Sequence, residues 1–261
     1  MSIILGLNCN HADSSACLVK DGELIIAIEE ERINRLKHWA GLPTNSIKEC
    51  LKYANININD VSDIAINSNP FSNINQKIIY FLKNYILGKK KYEIANRIKK
   101  KINLKKDLNK NFFPENISKN TKIHYIDHHI SHIASAFYPS NFDNAIGLSI
   151  DGFGDFCSLS IAKCSHQKIE VIDKIFFPDS LGLFYEAFTQ LIGFKNYGDE
   201  YKIMGLSSYG VPKYYEKIRN NIFKSKNNLK LNLKYFNHTG KNFNYNFSGK
   251  PNQSIIFNEK I

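Results

Sequence analysis

Apolar and polar positions along this chain fall into short strand-like runs broken by turn residues, interleaved with stretches of helical period. Ile3-Ile4-Leu5-Gly6-Leu7 reads as a strand, and Ser15–Lys20 reads as a second. After the turn pair Asp21-Gly22 a third strand covers Glu23–Glu29, so the first thirty residues form a β-hairpin arrangement. Pro43-Thr44 opens a helix in which Ser46 and Glu49 have capping-box spacing. Val61–Asn67 is a short strand, Gln76–Lys110 is helical and basic, and Asn111–Asn120 is a polar loop around Pro114. The pattern then predicts a strand over 122–126, a helix over 128–138, and strands over 144–150, 156–163 and 168–176. An amphipathic helix covers Ser180–Gly193, with Leu181, Phe184, Tyr185, Phe188, Leu191 and Ile192 on one side. A short helix follows Pro212, and from about Asn227 the chain turns Asn- and Lys-rich. No internal sequence repeat is visible.

Composition narrows the class. At 261 residues, 43% of them hydrophobic, the chain suits one large or two small globular domains with a sizeable core. No apolar stretch approaches the roughly 20 residues of a membrane helix, and Met1–Gly6 lacks a basic leader, which predicts a cytoplasmic protein without a membrane partner. Five cysteines without a CxxC pair predict reduced thiols. The formal charge of +11 is concentrated in Lys83–Lys110, which holds Lys89-Lys90-Lys91 and Lys99-Lys100-Lys101. Nucleic acid is one reading of that block. The helical spacing of Tyr80, Phe81, Tyr85 and Tyr92 favours a solvated helical excursion with a core-facing side.

Chemistry concentrates in Asp127-His128-His129-Ile130-Ser131-His132. On a helix, His128 and His132 lie one turn apart on one face, a spacing that lets two imidazoles hold one metal ion. Asp151, in Asp151-Gly152-Phe153-Gly154-Asp155, ends the next apolar run and supplies a carboxylate. Asp127 or Ser131 can orient the histidines, with His129 off their face. Gly152 and Gly154 would let the backbone approach a ligand phosphate. In the hairpin loop, Asn8, Ser14 and Ser15 could contact phosphate, while His11 and Asp13 could orient a substrate. Lys37, after the charged run Glu29-Glu30-Glu31-Arg32, could face a developing anion. Lys202, in Gly198–Leu206, suits a phosphate or carbonyl contact.

In order along the chain these motifs are His-x-Asp-Ser-Ser-Ala, Glu-Glu-Glu-Arg-x-x-Arg-x-Lys-His, His-His-x-x-His-x-x-Ser-Ala-Phe, Asp-Gly-x-Gly, Ser-Leu-Gly-x-x-Tyr and Lys-x-Met-Gly-Leu. The series resembles the carbamoyltransferase family of nodulation and antibiotic O-carbamoyltransferases (NodU/CmcH type) through Met1–Gly210. The resemblance implies an α/β, actin-like ATPase (ribonuclease H-like) fold with a mixed sheet and flanking helices, here incomplete. It implies domain bounds of 1–225, with the basic insert 76–120, and a truncated following segment over 226–261. It also implies transfer of a carbamoyl group from carbamoyl phosphate and ATP, through carbamoyl-adenylate, to a small-molecule hydroxyl. The implied metal ligands are His128, His132 and Asp151, holding Fe²⁺ or another divalent ion. Lys37 matches a carbamoyl-adenylate contact, Leu181, Gly182 and Lys202 fall in pocket-lining segments, and His11 is the candidate base. Ala12 stands between His11 and Asp13, where the family commonly has His directly before the Asp. Other readings are a non-catalytic metal- or nucleotide-binding remnant, a partner subunit working with a separate C-terminal half, and a tRNA-modifying relative.

Overall fold

The computed structural model describes residues 2–83, 104–112, 114–224, 229–240, 243–246 and 248–258, which divide into two compact units. The first unit is built on a five-stranded mixed sheet. Its strands are β1 (Ile3–Asn8), β2 (Ser15–Lys20), β3 (Glu23–Glu29), β4 (Asp63–Ile66) and β5 (Lys122–Tyr125), in the order β3-β2-β1-β4-β5. β1, β2 and β3 are antiparallel; β4 and β5 run parallel to β1. This is the mixed sheet with flanking helices that the sequence implies. Asp21 and Gly22 both take positive φ, the conformation a tight two-residue hairpin turn requires. Alternation buries Ile3, Leu5 and Leu7 against Ile47, Cys50 and Leu51 of helix α2 (Thr44–Tyr53) and Leu104 and Leu108 of a later helix.

The start of α2 departs from expectation. Ser46 and Glu49 form no capping box, and the N-cap position is Pro43, which has no polar side chain. Instead Glu30, in the short helix α1 (Glu30–Asn34) and 2% exposed, reaches across. It accepts the backbone N–H groups of Asn45 (3.2 Å) and Ser46 (2.8 Å), the Asn45 side-chain amide (2.7 Å) and the Ser46 hydroxyl (2.8 Å). A buried carboxylate thus satisfies the orphan donors of a helix N-terminus.

Of the basic insert, helices α3 (Ile74–Lys83, second unit) and α4 (Leu104–Asn111, first unit) are described. The lysine triplets, Tyr85 and Tyr92 lie outside the described residues. Tyr80 does face a core, meeting Phe156 and Phe177 edge-on at 5.4 and 5.3 Å.

The second unit contains a three-stranded antiparallel meander, β6 (Asn144–Gly154), β7 (Cys157–Ser165) and β8 (Ile169–Phe176). β6 runs past the expected 144–150, and its register against β7 breaks between Ile150 and Gly154. Helix α5 (His128–Phe137) packs Ile133 and Phe137 on one face of this sheet, against Ala145, Ala162, Cys164 and Ile169. Helix α6 (Leu181–Leu191) buries Leu183 and Ala187 with Leu231, Phe236, Phe243 and Ile256. Those last four fall in 226–261 and belong to the core of the second unit. Two shorter helices, α7 (Glu200–Ser207) and α8 (Tyr215–Ile222), complete the described helices. Cys9, Cys50, Cys157 and Cys164 are buried, and none of the five cysteines forms a disulfide. Among the described residues no helix is long and apolar enough to cross a membrane.

Candidate functional site

In the second unit, two carboxylates pin the first turn of α5. Asp127 caps it, its Oδ1 accepting the N–H groups of His129 (3.1 Å) and Ile130 (3.3 Å) while its Oδ2 pairs with Lys174 Nζ (3.0 Å). Asp155, from the β6–β7 turn, accepts the His128 N–H through Oδ2 (3.0 Å). Burial pushes the Asp127 carboxyl up, but the Lys174 ammonium and the backbone donors more than offset this and hold it below the ordinary carboxylate range. The sequence did not reveal Asp155 or Lys174 as anchors of the histidine helix.

The helical spacing brings His128 and His132 together as expected. Their Nε2 atoms are 3.1 Å apart, and Asp151 Oδ2 lies 2.8 Å from His128 Nε2 and 3.8 Å from His132 Nε2. All three donor atoms fall within 4.8 Å of one another. The side chains are graded in exposure, 8% for His128, 34% for Asp151 and 52% for His132, so the cluster opens to solvent on one side. The other Asp151 oxygen accepts the Gly152 N–H at 2.6 Å, which fixes the carboxylate plane. Protons alone satisfy this arrangement poorly. With His128 Nε2–H donating to Asp151 at 2.8 Å, His132 Nε2 faces the same nitrogen at 3.1 Å without a well-aimed hydrogen of its own. A cation facing two neutral imidazoles and one carboxylate uses all three lone pairs, so the donor set fits a divalent metal with open positions. Burial, then the neighbouring His128, lowers the His132 pKa and favours the neutral ring a metal needs.

His129 is fully buried and takes no part in the cluster. Its Nε2–H donates to the Cys157 carbonyl (2.9 Å) and its Nδ1 accepts the Ser149 hydroxyl (2.7 Å), which fixes a neutral tautomer.

The glycines behave differently from the expectation. A Cβ on Gly154 would lie 2.0 Å from His128 Cδ2, and one on Gly182 would lie 2.4 Å from the Gly152 nitrogen. Both glycines therefore make room for protein atoms: Gly154 admits the His128 ring, and Gly182 lets α6 sit on the Asp151-Gly152 backbone. Of these three, Gly152 alone has nothing within 4 Å of its Cβ direction, the open space a ligand could use. Ser180 secures the same junction, accepting the Leu183 N–H (3.0 Å) and donating to the Gly152 carbonyl (2.6 Å). Leu181 begins α6 beside it. Lys202, in α7, pairs with Asp199 Oδ1 at 2.6 Å, which lifts its pKa.

In the first unit the hairpin loop is self-bonded. The Asn8 amide donates to the carbonyls of Ala12 (3.1 Å) and Asp13 (2.8 Å), so it braces the loop. Ser14, 1% exposed, shares its hydroxyl hydrogen between the His11 and Gly41 carbonyls (both 2.9 Å) and accepts the Gly41 N–H (3.0 Å). That hydroxyl is enclosed in the loop, where the sequence offered it to phosphate. Ser15 belongs to β2, opposite Asn8 and Glu29. His11 is half-buried, with Nδ1 3.4 Å from the Ala12 carbonyl. Lys37 is exposed, beside His38. Asp13 and His38 both take positive φ (57° and 58°), and His38 Nδ1 lies 2.8 Å from Asp13 Oδ1. Glu31 Oε2 accepts the His38 N–H at 2.9 Å. The sequence contained Asp13 and His38 in separate motifs without signalling this pairing.

A family model described as carbamoyltransferase N-terminus matches residues 3–250. The chain belongs to this carbamoyltransferase family. It is 37% identical over 245 residues to the uncharacterized protein sll1178 of Synechocystis sp., covering 91% of this chain and 40% of that one. It is 36% identical over 201 residues to nodulation protein NolNO of Sinorhizobium fredii, covering 77% of this chain and 28% of that one. It is 32% identical over 207 residues to the uncharacterized protein MJ1051 of Methanocaldococcus jannaschii, covering 79% and 33% respectively. The chain thus spans well under half the length of these relatives. Among solved structures it is similar to YeaZ from Pseudomonas aeruginosa, with TM-score 0.36 and 12% identity over 69% of this chain and 68% of that one.

Proposed function

We propose that this chain is the N-terminal region of an O-carbamoyltransferase that passes a carbamoyl group to the hydroxyl of a small molecule. The donor in this reading is carbamoyl-adenylate, made from carbamoyl phosphate and ATP. The observation that carries the reading is the convergence of His128, His132 and Asp151 within a chain of this family. A divalent ion held there, Fe²⁺ in the family resemblance, would polarise a carbonyl or gather phosphate oxygens. In the transfer step the acceptor oxygen attacks the carbamoyl carbon. The bond from that carbon to the adenylate oxygen breaks, AMP leaves, and the hydroxyl proton passes to a base, for which His11 is the candidate. In the first unit, Lys37 is the candidate cation for the carbamoyl or phosphate oxygens, and Asn8, Asp13, Ser14 and Ser15 shape the loop that His38 joins through Asp13. Leu181, Gly182 and Gly154 support the metal ligands through packing, Gly152 lies beside open space, and Lys202 is the remaining cationic contact.

The test is metal content after anaerobic loading with Fe²⁺ and desalting. Wild type should retain about one equivalent, and His128→Ala and His132→Ala should retain at least tenfold less. Equal content in all three would overturn the ligand assignment. Calorimetry with a non-hydrolysable carbamoyl-adenylate analogue checks the donor site, and Lys37→Ala should weaken binding about tenfold. Equal binding by Lys37→Ala would remove Lys37 from it.

A further inference from the structure

Three polar side chains of α6 are buried, Glu186, Thr189 and Gln190, and two of them have clear partners. Thr189 donates its hydroxyl to the Tyr185 carbonyl at 2.9 Å. Gln190 accepts the Ile256 N–H at 2.8 Å and donates toward the Ser254 carbonyl at 3.4 Å. Glu186 is the exception. It is 8% exposed, and its Oε1 is buried with no hydrogen-bond partner among the described residues. An acceptor in that state costs about 1–3 kcal/mol, so a fold that keeps one points to a donor that arrives from outside.

The position of Glu186 narrows what that donor is. Gly182 lets α6 sit on the Asp151-Gly152 backbone, and Glu186 is one helical turn further on, on the same face of the helix. Asp151 and Glu200 are near enough to repel its charge. Lys202 does not serve it, being held by Asp199 at 2.6 Å. A lone acceptor among carboxylates suits a group that carries hydrogens and no negative charge. An uncharged N–H meets that need without bringing a second desolvated charge into a buried position. The carboxylate that would carry the polarising cation, Asp151, stands beside it, and Gly152 borders open space.

We propose that Glu186 recognises the amino group of the carbamoyl moiety, its Oε1 accepting a carbamoyl N–H while the carbonyl oxygen faces the cation of His128, His132 and Asp151. The inference rests on the carbamoyl-transfer reading and adds to it the residue that selects the acyl group. A carbamoyl and an acetyl group have nearly the same shape and the same carbonyl. They differ in that –NH₂ donates hydrogen bonds and –CH₃ does not. A cation treats the two carbonyls alike, so discrimination needs an acceptor where the nitrogen lies. A site whose buried acceptor stays unpaired with the methyl analogue rejects that analogue. Glu186 takes no proton in the transfer step; its part is specificity.

The test loads the full chain anaerobically with Fe²⁺ and titrates it by calorimetry with two ligands. One is a non-hydrolysable carbamoyl-adenylate analogue, and the other is its acetyl counterpart, with methyl in place of the amino group. Wild type should bind the carbamoyl form about 10–100-fold more tightly. Glu186→Gln keeps an acceptor oxygen, and its ratio should stay within about threefold of wild type. Glu186→Leu and Glu186→Met remove the acceptor, and the ratio should fall to about threefold or less while iron content is unchanged. Equal binding of the two ligands by wild type would overturn the proposal and leave the carbamoyl-donor reading standing. An unchanged ratio in either apolar variant would do the same. A wild type that binds neither ligand would overturn both. Loss of iron from the apolar variants would overturn the proposal by making Glu186 part of the metal site. A second equivalent of Fe²⁺ held by wild type and lost from those variants would assign the carboxyl to a cation and overturn it equally.

Discussion

Replacing Gly182 by Ala tests whether the metal cluster depends on how closely α6 approaches the Asp151 turn. The added Cβ would lie 2.4 Å from the Gly152 nitrogen and 2.5 Å from the Asp151 carbonyl carbon and oxygen. Ordinary carbon contacts need about 3.5–4.0 Å, so helix and turn must separate by roughly 1 Å. Neither side yields by rotating a side chain, because both are backbone. Ser180 ties the helix start to the Gly152 and Asp151 carbonyls at 2.6 and 3.1 Å. Overpacking of this kind costs about 1–3 kcal/mol, less up to ~1 kcal/mol recovered from the better helix propensity of alanine. At a net cost of about 2 kcal/mol, a chain of this size loses roughly 4–8 °C of thermal midpoint. The metal is affected more. Metal sites tolerate deviations of about 0.2 Å in ligand distance, so a 1 Å displacement of Asp151 should weaken binding about 10–100-fold. Cobalt(II) titration read by its visible absorption, beside urea unfolding, measures both effects. Gly152→Ala is the internal control: its Cβ meets nothing within 4 Å, so stability should change by less than about 0.5 kcal/mol. A Gly182→Ala protein with wild-type stability and metal affinity would refute the reasoning, as would equal damage from Gly152→Ala.

Three further outcomes follow from buried charge. Glu30→Ala strips four hydrogen bonds from the start of α2 and should cost about 2–4 kcal/mol in urea unfolding; a loss under 0.5 kcal/mol would show that water caps the helix equally well. Lys174→Met leaves the Asp127 carboxylate buried without its ion pair and should cost about 3 kcal/mol at pH 7. Because Asp127 is held below its unfolded pKa of about 3.9, its contribution is complete above about pH 4 and is lost as pH falls further, so the variant should show a shallower acid dependence. Glu186 runs the other way: burial, then Glu200 and Asp151, raise its carboxyl to about 8, and its Oε1 has no hydrogen-bond partner among the described residues. An acid raised in the fold destabilises progressively as pH climbs from its unfolded value toward the folded one. Glu186→Gln should therefore stabilise the chain by about 4 kcal/mol at pH 8 and by little at pH 4; a pH-independent difference would exclude this cause.

What the sequence could reveal was local. The bounds of β2 and β3 agree with the pattern because alternation and the Asp-Gly turn act over a few residues. His128 and His132 were legible for the same reason, being one helical turn apart behind their own cap, Asp127. The anchors that hold them were not, because Asp155 and Lys174 arrive from 27 and 47 residues away in sequence. Glycines misled for a related reason. A Gly marks close approach but does not say what approaches, and at Gly154 and Gly182 the answer is the protein itself. β6 inverts the lesson. Its alternation states plainly that Ile146, Leu148 and Ile150 form a face to be buried, and the described fold buries the opposite one. Local pattern and tertiary packing disagree along one strand whose counterpart, β1, shows no such conflict. Propensity and packing normally agree in a foldable sequence. Along β6, therefore, packing by α5 overrides the local pattern: Ile133 needs the space over Gly147, and the small residues rather than the large ones supply it.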